Sequence, residues 1–367
     1  MKNGDSAMVE PIYNNPERVT IQDIADHLGI SKATVCRALL QRARVAPETR
    51  KRVTEAAEQL GYTPDPTLRA LSKHRWAKHA LQRSSYSIAL VEINSRRGGK
   101  AVSRNEPSSV GAINRARELG LEIETFAFEE YAKPSRLGDV LFHRGYDGIL
   151  FSIRGPVVDW RFPWDKFSCL AISFDHPSHR LHQVCSDWFN AVAVAVGDVS
   201  ARGYKRPGFL QFNRENPSID LRTKAAIHLW RSELEITHGP MPEVFQYVGG
   251  ATGENNPYVL QRNDFERWYE TTQPDVVIDG GYFGYWWLKD LGINVPTDAG
   301  YLRLRHSETA EPVWCSGVDH KLAEQGRWSI DMLYNMIQLN IRGLSTDPVR
   351  ITVKCEPHEG KTLRPVE

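Results

Sequence analysis

The sequence predicts two folds in one chain: a small all-helical head at the amino terminus and a larger α/β body built on parallel sheets. Residues 20–61 contain three short segments in which apolar residues recur at helical spacing, each with a start or stop signal. From residue 86 onward, apolar strands alternate with amphipathic helices, which indicates parallel sheets with helices on both faces. A length of 367 residues suits two or three folded units.

Composition is that of an ordinary globular protein, with 41% hydrophobic and 25% charged residues. No run of 18 apolar residues occurs, and residues 1–17 lack the apolar stretch of a signal peptide. We therefore expect no membrane span and a short disordered arm at 1–17. The five scattered cysteines form no C-x-x-C pair, which argues against a disulfide framework or a zinc site and is typical of a reducing cytoplasm.

Charge is distributed unevenly along the chain. Residues 18–83 hold 13 Lys and Arg against six Asp and Glu, a net charge of +7, whereas the whole chain carries only +1. A basic head on a slightly acidic body suggests that the head has a polyanion as its partner. The alternative is a solvated charged face, and charge alone does not decide between the two.

Three helices are predicted between residues 20 and 61. The first begins after the N-cap Thr20 and ends at Gly29, which can take the left-handed conformation of a sharp turn. The second begins at Ser31, another N-cap, and the third begins at Pro47, which suits the first helical position. A helix, a turn containing Gly and a second helix starting on Ser together form a helix-turn-helix.

In a helix-turn-helix, the amino-terminal part of the second helix enters the major groove of DNA. Side chains on its exposed face can reach base edges, and hydroxyls at the helix starts can meet phosphates. The predicted DNA-facing residues are the base readers Lys32, Ala33 and Arg37 and the phosphate-contacting Thr20, Ser31 and Thr34. The alternative is a three-helix bundle without a ligand, but such a bundle would not need basic residues on that face.

Residues 19–65, VTIQDIADHLGISKATVCRALLQRARVAPETRKRVTEAAEQLGYTPD, resemble the DNA-binding head of the LacI/GalR (lactose-repressor) family of bacterial transcription regulators. The resemblance implies a DNA-binding domain over 18–63 with the residue roles given above. Three positions depart from the family pattern: Cys36 and Ala46 stand where Ser is usual, and Leu40 stands where Asn is usual. These departures leave the fold intact and bear on backbone contacts and on the operator sequence.

A hinge helix and linker are predicted over residues 64–85. Asp65 can cap a short helix there, and Pro66 fits its first position. In the family, a helix at this place forms on DNA, and a leucine from each subunit wedges into the minor groove; Leu71 occupies that position. The alternative is a plain linker with one apolar residue.

The resemblance extends to the body through the segments SDWFNAVAVAVGDVSARGYKRPGFLQ and GVDHKLAEQGRWSIDML. It implies a two-lobed, periplasmic-binding-protein-like domain over 86–367. The first lobe would comprise about 86–186 and 317–345, and the second about 187–316 and 346–367. In such a domain the ligand binds in the cleft between the lobes, at the carboxyl ends of the strands.

Candidate residues of the ligand cleft can be assigned only from their positions in the sequence. We predict that Asp175, Arg222 and Asp279 contact the effector. A guanidinium at Arg222 suits sugar hydroxyls or a carboxylate, with a surface salt bridge as the alternative. Trp286 and Trp287 have two interpretations, stacking on a sugar ring or packing in the core, and core packing is the favoured one.

Together these features predict a dimeric, cytoplasmic, nucleoid-associated transcription regulator, with repression as the default. Its partners would be double-stranded DNA with a near-palindromic operator, a sugar-like effector and a second copy of the chain, with no membrane. No catalytic or metal-binding motif occurs, so we expect neither an enzyme nor a cofactor. Two alternatives remain: a sugar-binding or sugar-processing protein with a vestigial head, and an architectural DNA binder without an effector.

Overall fold

A computed structural model describes the chain over residues 19–39, 45–62, 86–93, 96–97, 100–101, 106–131, 133–153, 161–172, 180–213, 217–248, 257–306 and 314–366. Contacts divide it into two units, Met1–Ser84 and Ser85–Glu367. The predicted arm, the hinge helix with Leu71, and Asp175 lie outside the described residues. Within the described ranges, no helix is both long enough and apolar enough to span a bilayer.

Within its described residues, the first unit contains three helices, as the sequence predicts. They are α1 (Ile21–Leu28), α2 (Lys32–Leu39) and α3 (Pro47–Gln59). The expected capping box is present at the start of α1, because the Thr20 hydroxyl accepts from Asp23 N–H and the Asp23 carboxylate accepts from Thr20 N–H at 2.6 Å. Gly29 ends α1 with φ of +63°, a left-handed conformation that glycine adopts without steric cost.

The apolar faces of these helices meet in one small core. Its buried members are Ile24, Ala25, Val35, Ala38, Val53, Ala56 and Ala57. Leu39, the last residue of α2, packs half-buried against this core. Helix α3 begins at Pro47 as predicted, and Ala46 before it supplies no side-chain cap. The core of the head is therefore formed by the apolar residues that recur at helical spacing in its sequence.

The second unit holds two parallel sheets with helices on both faces. The first lobe is built from β1 (Ser87–Ile93), the hairpin β2 (Arg96–Arg97) and β3 (Lys100–Ala101), α4 (Pro107–Glu118), β4 (Glu122–Ala127), α5 (Pro134–His143), β5 (Gly148–Ile153), β6 (Ser168–Ile172) and β7 (His182–Ser186). The second lobe is built from α6 (Trp188–Ala201), β8 (Pro207–Asn213), α7 (Pro217–His238), β9 (Phe245–Val248), α8 (Pro257–Thr272), β10 (Val276–Asp279), α9 (Gly284–Asp290) and β11 (Gly300–Arg303).

After β11 the chain crosses from the second lobe to the first and then back to the second. The elements after β11 are β12 (Gly317–Asp319), α10 (Leu322–Leu339), β13 (Arg350–Val353) and β14 (Glu356–His358). The first sheet has the order β13-β7-β6-β5-β1-β4 and is parallel throughout. The second has the order β14-β12-β11-β10-β8-β9 and is parallel except for β14.

This topology corrects the lobe boundaries inferred from the sequence. Strand β12 belongs to the second sheet, although we assigned residues 317–345 to the first lobe, because Gly317 pairs with Arg303 of β11. Strand β13 belongs to the first sheet, although we assigned 346–367 to the second lobe, because it pairs in parallel with β7. The later crossovers therefore lie between β12 and α10 and between β13 and β14.

Helices α4 and α10 cross at unusually close range on the first lobe. A Cβ built on Gly111 of α4 would lie 2.0 Å from the carbonyl oxygen of Ala323, and one built on Gly326 of α10 would lie 2.1 Å from that of Ser108. The two backbones touch where each helix carries glycine. Ion pairs flank the crossing, and the Arg327 guanidinium beside Glu118 helps to hold the pKa of that carboxyl at about 2.

Candidate DNA-binding face and ligand cleft

Helix α2 presents two faces of opposite character. Val35 is fully buried and Ala38 nearly so, whereas Lys32, Ala33 and Arg37 are exposed. At about 100° per residue, Ala33 and Arg37 lie on the side of the helix away from Val35 and Ala38, whereas Lys32, three residues before Val35, borders the buried face on the first turn. All three predicted base readers are open to solvent, and Ala33 and Arg37 share one face of the helix.

The hydroxyls predicted to meet phosphates lie at helix starts. Ser31 precedes α2, and its Oγ accepts from the Thr34 N–H at 3.2 Å and lies 2.8 Å from the Thr34 hydroxyl. Thr20 is exposed at the start of α1, and its backbone N–H holds the pKa of the Asp23 carboxyl below its usual value. Both helix starts offer the N–H groups and partial positive charge that bind anions.

The carboxyl ends of the two sheets adjoin each other. Each crossover leaves a strand at its carboxyl end: β7 leads into α6, β12 into α10, and β13 into β14. A side-chain contact joins two of these connections, since Gln325 Nε2 donates to Ser186 Oγ at 2.9 Å and to His320 O at 2.7 Å. The region bounded by these strand ends is where an open parallel sheet places its ligand.

The predicted effector contact of Asp279 requires correction. This last residue of β10 is fully buried, and both carboxylate oxygens have partners within the chain. Oδ1 accepts from the Tyr247 hydroxyl at 2.6 Å and from Gly281 N–H at 2.7 Å. Oδ2 accepts from Gly284 N–H and the Tyr301 hydroxyl, both at 2.9 Å. With four donors already in place, Asp279 holds the loop after β10 and does not face a ligand.

Arg222 lies on α7, which begins four residues after β8 ends. It is half-buried, and its effector role stays a prediction. Trp287 is fully buried, with its indole N–H donating to Tyr258 O at 3.0 Å, so core packing is the interpretation that the structure supports. Sequence reasoning did not single out Tyr247 and Tyr301, whose hydroxyls bind the Asp279 carboxylate.

No group of three or more His, Cys, Asp and Glu residues is placed to hold a metal ion among the described parts of the chain. The thiols of Cys169, Cys315 and Cys355 are buried, and burial raises the pKa of each; for Cys315 and Cys355 the pKa rises to about 12. Thiols held in the protonated form are poor nucleophiles and poor metal ligands.

A model of the family described as "Bacterial regulatory proteins, lacI family" matches residues 20–65. The head is thus a helix-turn-helix domain of the lacI family, which confirms the resemblance drawn from the sequence. The family is one of transcription regulators and not of enzymes.

The chain is also similar in sequence to individual transcription regulators. The sucrose operon repressor of Klebsiella pneumoniae is 36% identical over 138 residues, which cover 36% of this chain and 37% of that protein. Matches to the first curated relatives span between 16% and 56% of their length.

Two solved structures share the fold. One is a transcriptional regulator CelR–cellobiose complex, with a TM-score of 0.53 and 18% identity, covering 94% of this chain and 100% of that one. The other is a Lac repressor dimer bound to operator and the anti-inducer ONPF, with a TM-score of 0.52 and 16% identity, covering 94% and 99%.

Proposed function

We propose that this protein is a transcription regulator that binds a near-palindromic operator as a dimer and answers to a sugar-like effector. One observation carries the proposal: α2 exposes Lys32, Ala33 and Arg37 beside a buried apolar stripe, within the segment that the lacI family model matches. A guanidinium on that surface suits two-pronged hydrogen bonding to guanine O6 and N7. The hydroxyls of Thr20, Ser31 and Thr34 then anchor the helix starts to phosphates.

A dimer follows from the small size of the head. One helix in one major groove reads only a few base pairs, and a two-fold protein doubles the contact on a two-fold site. The Lac repressor structure that shares this fold is a dimer on its operator, which supports the same arrangement here. In this proposal Leu71 from each subunit wedges into the minor groove between the half-sites.

The effector would act in the body. The carboxyl ends of both sheets adjoin three chain crossovers, so a ligand held there favours one relative position of the lobes. A relative is named for the sucrose operon and a structural neighbour is a cellobiose complex, which supports a sugar-like effector. Arg222, half-buried on the helix that follows β8, would hold oxygens of that ligand.

Selection of bound DNA from a random pool tests the proposal directly. We expect the full chain to enrich one sequence of two inverted half-sites and to bind it at least 1,000-fold more tightly than unselected DNA, a typical ratio for specific binding. Titrations at two salt concentrations separate the specific complex from salt-sensitive non-specific binding. A vestigial head would enrich no sequence, and a single asymmetric motif would contradict the dimeric arrangement.

A further inference from the structure

Helix α7 carries a stripe of apolar and small residues on the side that faces solvent. Its exposed members are Leu221, Ala225, Leu229, Ser232 and Ile236. Ile236 is 79% exposed and Leu221 is 69% exposed. At about 100° per residue, the five positions fall within roughly 80° of arc. They lie on the side of α7 opposite Ile227 and Leu234, which are buried in the core of the second lobe. Helix α7 is therefore apolar on two opposite sides.

The spacing within this stripe is that of a seam between two helices. From Ala225 to Ile236 the exposed members follow each other at intervals of four, three and four residues, which is the heptad interval of paired helices. The small residues Ala225 and Ser232 are seven apart, and so are the large residues Leu229 and Ile236. Single exposed apolar residues are common on protein surfaces, whereas a continuous apolar stripe marks an interaction surface.

The stripe is complementary in size to a second copy of itself. When two α7 helices pair antiparallel about a two-fold axis, Leu229 lies against the partner's Ser232 and Ile236 lies against the partner's Ala225. Each large side chain then meets a small one, which is how facing positions interdigitate. A parallel pairing would set Leu229 against the partner's Leu229 and leave the two serines facing each other, so the antiparallel arrangement packs better.

The charges beside the stripe are complementary in the same arrangement. His228 and Glu235 are seven residues apart on one flank of the stripe, and His228 is exposed. A two-fold axis brings this flank against the same flank of the partner, so each His228 approaches the partner's Glu235. Glu235 also pairs with Arg231 of its own helix at 2.8 Å. The contact between His228 and the partner's Glu235 occurs twice in the pair.

We propose that α7 pairs antiparallel with α7 of a second copy of the chain and so joins two dimers into a tetramer. This assembly goes beyond the proposed function. Val259 and Leu260 of α8 form a separate apolar surface, with exposures of 62% and 60%. Helices α7 and α8 pack in different clusters on opposite faces of the second sheet, so the two surfaces are distinct. Two distinct surfaces give each chain two two-fold contacts, as a dimer of dimers requires.

The mass of the full-length protein in solution tests the pairing. We expect sedimentation and light scattering to give the mass of four chains for the parent. Ile236→Glu should halve that mass, because its carboxylate would be buried against the partner's Ala225. Ile236 is mostly exposed within one chain, so this variant should keep the circular dichroism of the parent. Leu339→Glu is the matched control: Leu339 is 54% exposed on α10, and its variant should keep four chains.

Charge and cysteine variants test the orientation of the two helices. His228→Glu places like charges beside the partner's Glu235 and should weaken the association of dimers about fivefold, whereas His228→Lys should keep the parent's association. Chains with Ala225→Cys, mixed with chains carrying Ile236→Cys, should form an intermolecular disulfide on mild oxidation. Ala225→Cys alone should form none through this position, because the antiparallel arrangement holds the two copies of residue 225 far apart along the helix axes.

Several results would overturn the pairing. They are a parent mass of two chains or fewer, an Ile236→Glu variant that keeps four chains, an equal loss of mass in Leu339→Glu, and a disulfide between two copies of Ala225→Cys. Operator binding by the same samples reports separately on the proposed function, because the head contains none of these residues.

Discussion

Arg37→Ala is expected to remove most of the operator preference of the protein while leaving its non-specific DNA binding nearly unchanged. Arg37 is exposed on the same face of α2 as Ala33, and its Nε donates to the Ala33 carbonyl at 3.1 Å, so the guanidinium rests along the helix surface. Loss of a two-pronged contact with guanine costs about 1–3 kcal/mol, roughly a 5- to 150-fold fall in discrimination. Competition between the selected operator and scrambled DNA of equal length measures this ratio.

Lys51→Ala is the matched control for this change. Lys51 is also a basic residue of the head, but it lies exposed on α3 and forms an i,i+4 pair with Glu55 at 3.9 Å. Its removal takes away one positive charge without touching the surface of α2. We expect the ratio of operator to scrambled affinity to stay the same. If Arg37→Ala and Lys51→Ala behave alike, Arg37 contributes only charge and the base-reading assignment is wrong.

Gly111→Ala is expected to destabilise the body severely. The added Cβ would meet the Ala323 carbonyl oxygen at 2.0 Å, a distance that requires α4 and α10 to move apart. Both groups involved are backbone or Cβ, so no side-chain rotation can relieve the clash. Overpacking of this kind costs about 3 kcal/mol or more, and we expect a fall of roughly 5–10 °C in the melting temperature of the body.

Gly197→Ala, a change at another helical glycine, is expected to stabilise the protein. Gly197 lies within α6, and a Cβ built there would have no atom within 4 Å. Alanine should therefore stabilise the protein by about 0.5–1 kcal/mol, because it loses less backbone entropy on folding. Thermal unfolding of the two variants beside the parent measures the expected loss of stability in Gly111→Ala and the expected gain in Gly197→Ala. A tolerated Gly111→Ala would mean that the helices do not cross as closely as described.

The head was predictable from its sequence because local signals determine it. Thr20, Gly29 and Pro47 mark helix ends by capping and backbone preference, and the apolar period of α2 identifies Val35 as buried. The alternation of strands and helices from residue 86 onward was also predictable, since strands and helices have different apolar periods. Strand β7 shows no such pattern, because its sequence, HQVCS, is short and has few apolar residues.

The body cleft was less predictable because it depends on contacts between distant segments. Asp279 ends a strand in the sequence, and nothing local reveals that Tyr247, 32 residues earlier, will occupy its carboxylate. The same holds for β12 and β13, whose sheet membership is decided by pairing with β11 and β7. Short strands carry little pattern, and register across a sheet is set by packing that the sequence does not display locally.

Chemical protection of guanine N7 on the selected operator tests the central claim most directly. N7 lies in the major groove, so a helix seated there shields it from methylation. The account predicts two symmetric sets of protected guanines with the parent protein, and the loss of protection at one position in each half-site with Arg37→Ala. Uniform methylation of both half-sites under saturating protein would show that α2 does not occupy the groove.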